Sequence, residues 1–89
     1  MFKKRRGINL SYEKQGLVHF VCVNYEDRPD EVLDKIVSLS AEIGGEHNEA
    51  LFEVMTNKDK SIRELAYEYH LSETQLYYYR KLFYEAWYA

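Results

Sequence analysis

The chain has 89 residues, 46% of them hydrophobic and 16% aromatic, so it has apolar mass for one small folded domain and none to spare for a second. The net charge of -3 argues mildly against a polyanionic partner, and a single cysteine, Cys22, excludes an internal disulfide. No apolar run approaches the length of a membrane span, and no signal-peptide pattern follows the basic start MFKKRRG, so a cytoplasmic protein with no membrane partner is expected.

Charge is unevenly distributed. Residues 1–16 carry Lys3, Lys4, Arg5, Arg6 and Lys14 against Glu13, while residues 17–57 carry only Arg28 and Lys35 against nine carboxylates. Residues 58–89 are balanced. Residues 1–12 read as a flexible basic tail, in composition like the arms that reach into DNA minor grooves, or simply a solubilising terminus. Residues 13–89 read as one helical domain. Within it, residues 16–25 are ambiguous. Val18, Val21 and Val23 suggest a strand, whereas a helix would put Leu17, Phe20 and Val21 on one face. A lone strand would have no partner in this chain, so a helix is expected.

Pro29 suits a helix start, and Asp30 and Glu31 suit its positive end. Val32, Ile36, Leu39 and Ile43 recur at helical spacing until Gly44-Gly45. HNEALFEVMTN reads as a shorter helix burying Leu51, Phe52 and Met55, and Asn57-Lys58-Asp59-Lys60 as a polar loop.

The last third holds two Ser-x-x-Glu/Gln boxes eleven residues apart, Ser61-Ile-Arg-Glu64 and Ser72-Glu-Thr-Gln75. Each can start a helix, the serine hydroxyl accepting from the backbone three residues on and the acid or amide reaching back. The first helix must therefore stop near Tyr69 and turn through His70-Leu71. Ile62, Leu65, Ala66 and Tyr69 mark its inner face, Leu71 plugs the turn, and Leu76, Tyr79, Phe83 and Trp87 continue inward on the second helix. Ala66 is the small residue at the crossing. The expected fold is thus all-α, a small bundle of four to five helices ending in a helix-turn-helix over residues 61–88.

This spacing resembles the helix-turn-helix of bacterial transcription regulators, with His70 standing where glycine is usual; histidine is among the side chains that tolerate positive φ. More widely, the pattern from QGLVHFVCVNY to RKLFYEAW is similar to small proteins of Gram-positive phages and mobile elements. Its last third resembles the C-terminal region of phage late-gene transcription activators of the RinA/ArpU kind, themselves similar to sigma-factor region 4, most strongly over residues 47–87. The resemblance implies a sequence-specific DNA-binding regulator of transcription.

On that reading the outward start of the second helix presents Ser72, Glu73, Thr74, Tyr77, Tyr78 and Lys81 to double-stranded DNA. Lys60 and Arg63, at the start of the first helix, would meet phosphates. Tyr77 and Tyr78 have an alternative in packing on preceding helices or on a second subunit, whereas Tyr84, Trp87 and Tyr88 are expected to close the core or form a dimer contact. A single half-site gives limited affinity, so a homodimer or an RNA polymerase partner is expected. The alternative function is a protein-binding module that docks on RNA polymerase or a phage component, which the acidic stretch from Glu26 to Glu53 favours. His19 and Cys22 at i, i+3 are half a metal site at most, and His47 and His70 are isolated. No nucleophile, phosphate-loop or paired-carboxylate motif is present, so neither an enzyme nor a cofactor is expected.

Overall fold

The computed structural model describes residues 2–89; Met1 lies outside the described residues. All regular secondary structure among the described residues is helical. Five α-helices follow one another: α1 Tyr12–Val23, α2 Asp30–Gly44, α3 Asn48–Thr56, α4 Ile62–Tyr69 and α5 Glu73–Trp87. Short 3-10 turns over Tyr25–Asp27 and Gly45–His47 join the first three.

Local chemistry accounts for the boundaries. Ser11 starts α1 by accepting from the Lys14 N–H at 3.2 Å. Pro29 caps α2 from just outside it, so Asp30 and Glu31 fill the first turn, where the helix dipole favours carboxylates. At the other end Gly45 has φ +56°, a conformation cheap only for glycine. The turn this allows lets α3 fold back onto α2.

At nine residues α3 is too short to be stable alone, yet it packs against all four other helices. Its Leu51 and Met55 join Val18, Cys22, Ile36, Phe83 and Tyr84 in the main core. Its Ala50 joins Leu65, Ala66 and Leu76 in a second cluster beneath α4 and α5. Val54 and Tyr79 touch both clusters and tie them together.

Two expectations are corrected. The first is the face of α1. Gln15, Val18 and Cys22 point inward, whereas Leu17 and Phe20 stay about half exposed. The inward stripe contains a glutamine because that glutamine has backbone to satisfy. Fully buried, Gln15 accepts from the Arg5 N–H at 2.8 Å. Its amide nitrogen lies 3.1 Å from the Leu10 carbonyl and 3.4 Å from those of Arg5 and Ile8. A buried polar side chain is tolerated when it is bonded in this way.

The second correction follows from the first. The segment expected as a free basic tail is packed onto the bundle. Ile8 belongs to the main core, Arg5 donates from Nε to the Tyr84 hydroxyl at 3.2 Å, and Asn9 donates its N–H to Glu85 at 3.0 Å. The radius of gyration, 12.1 Å, equals the roughly 12 Å of a chain of this length folded throughout. The expectation failed because composition reports charge, and four adjacent cations masked the apolar anchors Phe2, Ile8 and Leu10 that flank them.

Burial pushes the Cys22 thiol up to about 12, leaving it protonated and inert. Among the described residues no group of three or more His, Cys, Asp or Glu side chains could hold a metal ion. No described helix is long and apolar enough to cross a membrane.

His19 lies beside the packed N-terminal segment, its ring 5.0 Å from that of Phe2. Burial, and then the positive charges of Arg5 and Arg80, lower its pKa below the ordinary 6.5. The folded state therefore binds this proton less readily than the unfolded chain. The His19 contribution is fully present above pH 6.5 and is lost as pH falls below it. Denaturant midpoints measured from neutral to mildly acidic pH should fall, and the slope over that window should be reduced in His19→Gln.

Candidate nucleic-acid interface

The two serine boxes differ in outcome. At Ser61 both halves form: the hydroxyl accepts from the Glu64 N–H at 3.1 Å, and Glu64 accepts from the Ser61 N–H at 3.2 Å. At Ser72 only the first half forms, with Gln75 N–H donating at 3.0 Å. The Gln75 amide turns inward instead and donates to the Tyr79 hydroxyl at 3.1 Å. A half-buried tyrosine oxygen needs a partner more than an exposed backbone N–H does.

Between the helices stand only His70, Leu71 and Ser72. His70 has φ 57° and ψ 41°, the left-handed conformation. Its N–H donates to the Tyr67 carbonyl at 3.3 Å, and Leu71 N–H donates to the Ala66 carbonyl at 2.9 Å. These two bonds make a Schellman closure, and Leu71 packs onto the cluster below as that motif requires. Ala66 is 4% exposed and meets Ala50 and Leu76. Two small residues, one on α3 and one on α4, thus let three helices approach closely; the sequence pattern singled out only one of them.

The first two turns of α5 are open. Ser72, Glu73, Thr74, Tyr77 and Tyr78 are exposed. At 3.6 residues per turn Glu73, Thr74, Tyr77, Tyr78 and Lys81 fall within roughly 140° of arc, so they share one face. Further along that face the N-terminal segment takes over. Tyr84, about two turns beyond Tyr77 and one beyond Lys81, is 1% exposed beneath Arg5.

Lys81 sits at this border, half-buried and paired with Glu85 at 3.1 Å. The Asn9 N–H, and then the Lys81 ammonium, hold the Glu85 carboxyl below its ordinary range. Lys60 is also engaged, 2.6 Å from Glu68. Arg63 is exposed with no ion pair among the described residues. Over residues 60–81 four cations face three carboxylates, so the surface is mixed rather than strongly positive.

The tyrosines divide. Tyr79 turns inward. Tyr77 is 46% exposed with the Arg80 guanidinium 4.9 Å from its ring centre, and Tyr78 is 57% exposed. Tyr84 joins the core, and Trp87 packs on Phe83 with Lys35 4.1 Å above its ring. Tyr88 donates to the Lys14 carbonyl at 2.8 Å. Two residues escaped the sequence reading. Tyr67, at 85% exposure, lies one turn beyond Arg63 on the outer face of α4, as helical spacing alone would place it. Arg80 is half-buried on the flank of α5, where no motif signals it.

Ala66→Leu should force α3, α4 and α5 apart and cost about 1–3 kcal/mol through overpacking, read as a lower denaturant midpoint. His70→Gly should raise stability by about 0.5–1 kcal/mol, because glycine adopts the left-handed turn without the Cβ penalty that exceeds its own entropic cost. His70→Val should lower it, and the same unfolding titration ranks all three.

Comparison with protein-family models, with curated proteins and with solved structures finds no match to this chain.

Proposed function

We propose that the protein binds double-stranded DNA sequence-specifically, with the first two turns of α5 in the major groove, as a transcription regulator of a phage or mobile element. The observation that carries this reading is the open arc of Glu73, Thr74, Tyr77 and Tyr78, held against α4 by the Ser61 capping box and the His70-Leu71 turn. Such an arc offers a carboxylate for a cytosine amine, a methyl and hydroxyl for thymine or phosphate, and two phenols. Arg63 would contact a phosphate, and Lys60 and Lys81 would do so by exchanging Glu68 and Glu85 for the backbone. The resemblance to RinA/ArpU-type activators and sigma-factor region 4 points the same way. An 89-residue reader of one half-site gains affinity by pairing with a second copy or with RNA polymerase.

A second reading draws on the same surface. Carboxylates neutralise Lys60 and Lys81, while Tyr67, Tyr77 and Tyr78 stand exposed. Aromatic side chains in a near-neutral field suit a protein partner, such as RNA polymerase or a phage component.

Titrations of cognate and scrambled duplexes at several salt concentrations separate the two. Arg63→Ala should weaken binding to all duplexes alike and reduce the log–log salt slope by about one. Thr74→Ala should cost about 1–3 kcal/mol on the preferred sequence and little on scrambled DNA. If the folded parent protein binds no duplex more tightly than millimolar in low salt, the protein-docking reading replaces the first.

A further inference from the structure

Behind the start of α4 lies a cavity of about 280 Å³, enclosed by the N-terminal segment, α1, the end of α3, the 57–61 loop, α4 and α5. Its charged and titratable wall is Arg5, His19, Lys58, Lys60, Arg80 and Tyr84, and no carboxylate lines it. Residues far apart in the chain supply this wall, so it exists only because the basic segment is packed rather than free.

Lys60 has Glu68, but the two arginines are poorly matched. Neither Arg5 nor Arg80 has a carboxylate partner among the described residues. Arg5 uses Nε on the Tyr84 hydroxyl and rests between the rings of Phe2 and Tyr84, which leaves its two terminal nitrogens for other acceptors. The Arg80 Nε is buried without any hydrogen-bond partner. A buried donor left unpaired is costly, and more so on a cation. The two guanidiniums also repel each other: burial, and then Arg5, push Arg80 down to about 10. Among the charged neighbours that perturb His19, both side chains are arginines.

We propose that this cavity is an anion site for a phosphoryl group, with Arg5 and Arg80 as its principal ligands and Lys58 at its rim. Two planar guanidinium forks and an ammonium supply more donors than a planar carboxylate can accept, whereas a tetrahedral phosphate presents three or four oxygens and up to two negative charges. The site does not depend on the DNA reading. The phosphoryl group could belong to a free phosphate or phosphomonoester, or to a duplex backbone passing the start of α4.

The test follows the arginine Nε–H and His19 imidazole signals of the full chain by NMR. Inorganic phosphate is titrated at neutral pH and constant ionic strength, with chloride as the balancing anion. Saturable shifts confined to Arg5, Arg80 and His19, with the His19 pKa rising, are expected. Lys58→Gln, at an exposed position, and Arg5→Gln should each weaken binding about tenfold, the loss of one charge-assisted hydrogen bond. A duplex added to the phosphate-bound protein then identifies the source. Displacement of phosphate with the same signals moving assigns the site to the DNA backbone. Duplex binding that leaves these signals unmoved assigns it to a free phosphoryl ligand. Phosphate binding with no duplex binding keeps the anion site and removes the DNA reading. If neither phosphate nor duplex produces saturable shifts at these residues, or Lys58→Gln and Arg5→Gln both bind phosphate as the parent does, the proposal is overturned.

Discussion

A nine-residue helix that must satisfy four neighbours at once is the constraint on which this fold turns. Alone, α3 would not form, since nucleation costs more than nine residues return. It exists because Leu51 and Met55 are needed in one cluster and Ala50 in the other. Besides α3, the α1–α2 layer is joined to the α4–α5 pair through α5 and through the N-terminal segment seated between Gln15 and Tyr84. The small side chain of Ala50 matters as much as the large ones, because it sets how closely α4 and α5 can settle.

The N-terminal segment is coupled to the same arrangement through Gln15. A bare helix face ending in apolar residues would have left the backbone of residues 5–10 without partners. A glutamine at zero exposure supplies them. Once seated, the segment closes the second half of one α5 face over Tyr84 and leaves the first half open. The boundary of the candidate interface is therefore drawn by residues 5–9, at the far end of the chain, through Arg5 on Tyr84 and Asn9 on Glu85. The same seating brings Arg5 within range of Arg80 and creates a positive cavity whose arginines have no carboxylate partner among the described residues.

Charge on the exposed arc is organised differently from charge in the cavity. Around the arc each lysine has a carboxylate within reach, so the surface is close to neutral until a partner competes for those lysines. Such pairs are worth little in water, which makes the exchange inexpensive. In the cavity the arginines have no carboxylate and are partly desolvated. An incoming anion there would displace nothing and relieve repulsion.

Much of this architecture is legible in the sequence, since it depends on neighbours a few residues apart. Ser61-x-x-Glu64 and Ser72 mark helix starts, Gly45 and His70 mark stops, and the spacing of Leu65, Ala66, Leu71 and Leu76 reports a tight turn between two helices. Each is a local hydrogen bond or a local period, so reading along the chain suffices. Long-range packing decided the rest. Which face of α1 is buried, whether Gln75 completes its box or turns to Tyr79, whether residues 2–10 lie free or packed, and where Arg80 finds itself all depend on groups up to 79 residues away, as between Arg5 and Tyr84. Composition cannot rank a buried glutamine above an exposed phenylalanine. The energy that favours it comes from unpaired backbone elsewhere in the chain, and only the assembled fold brings the two together.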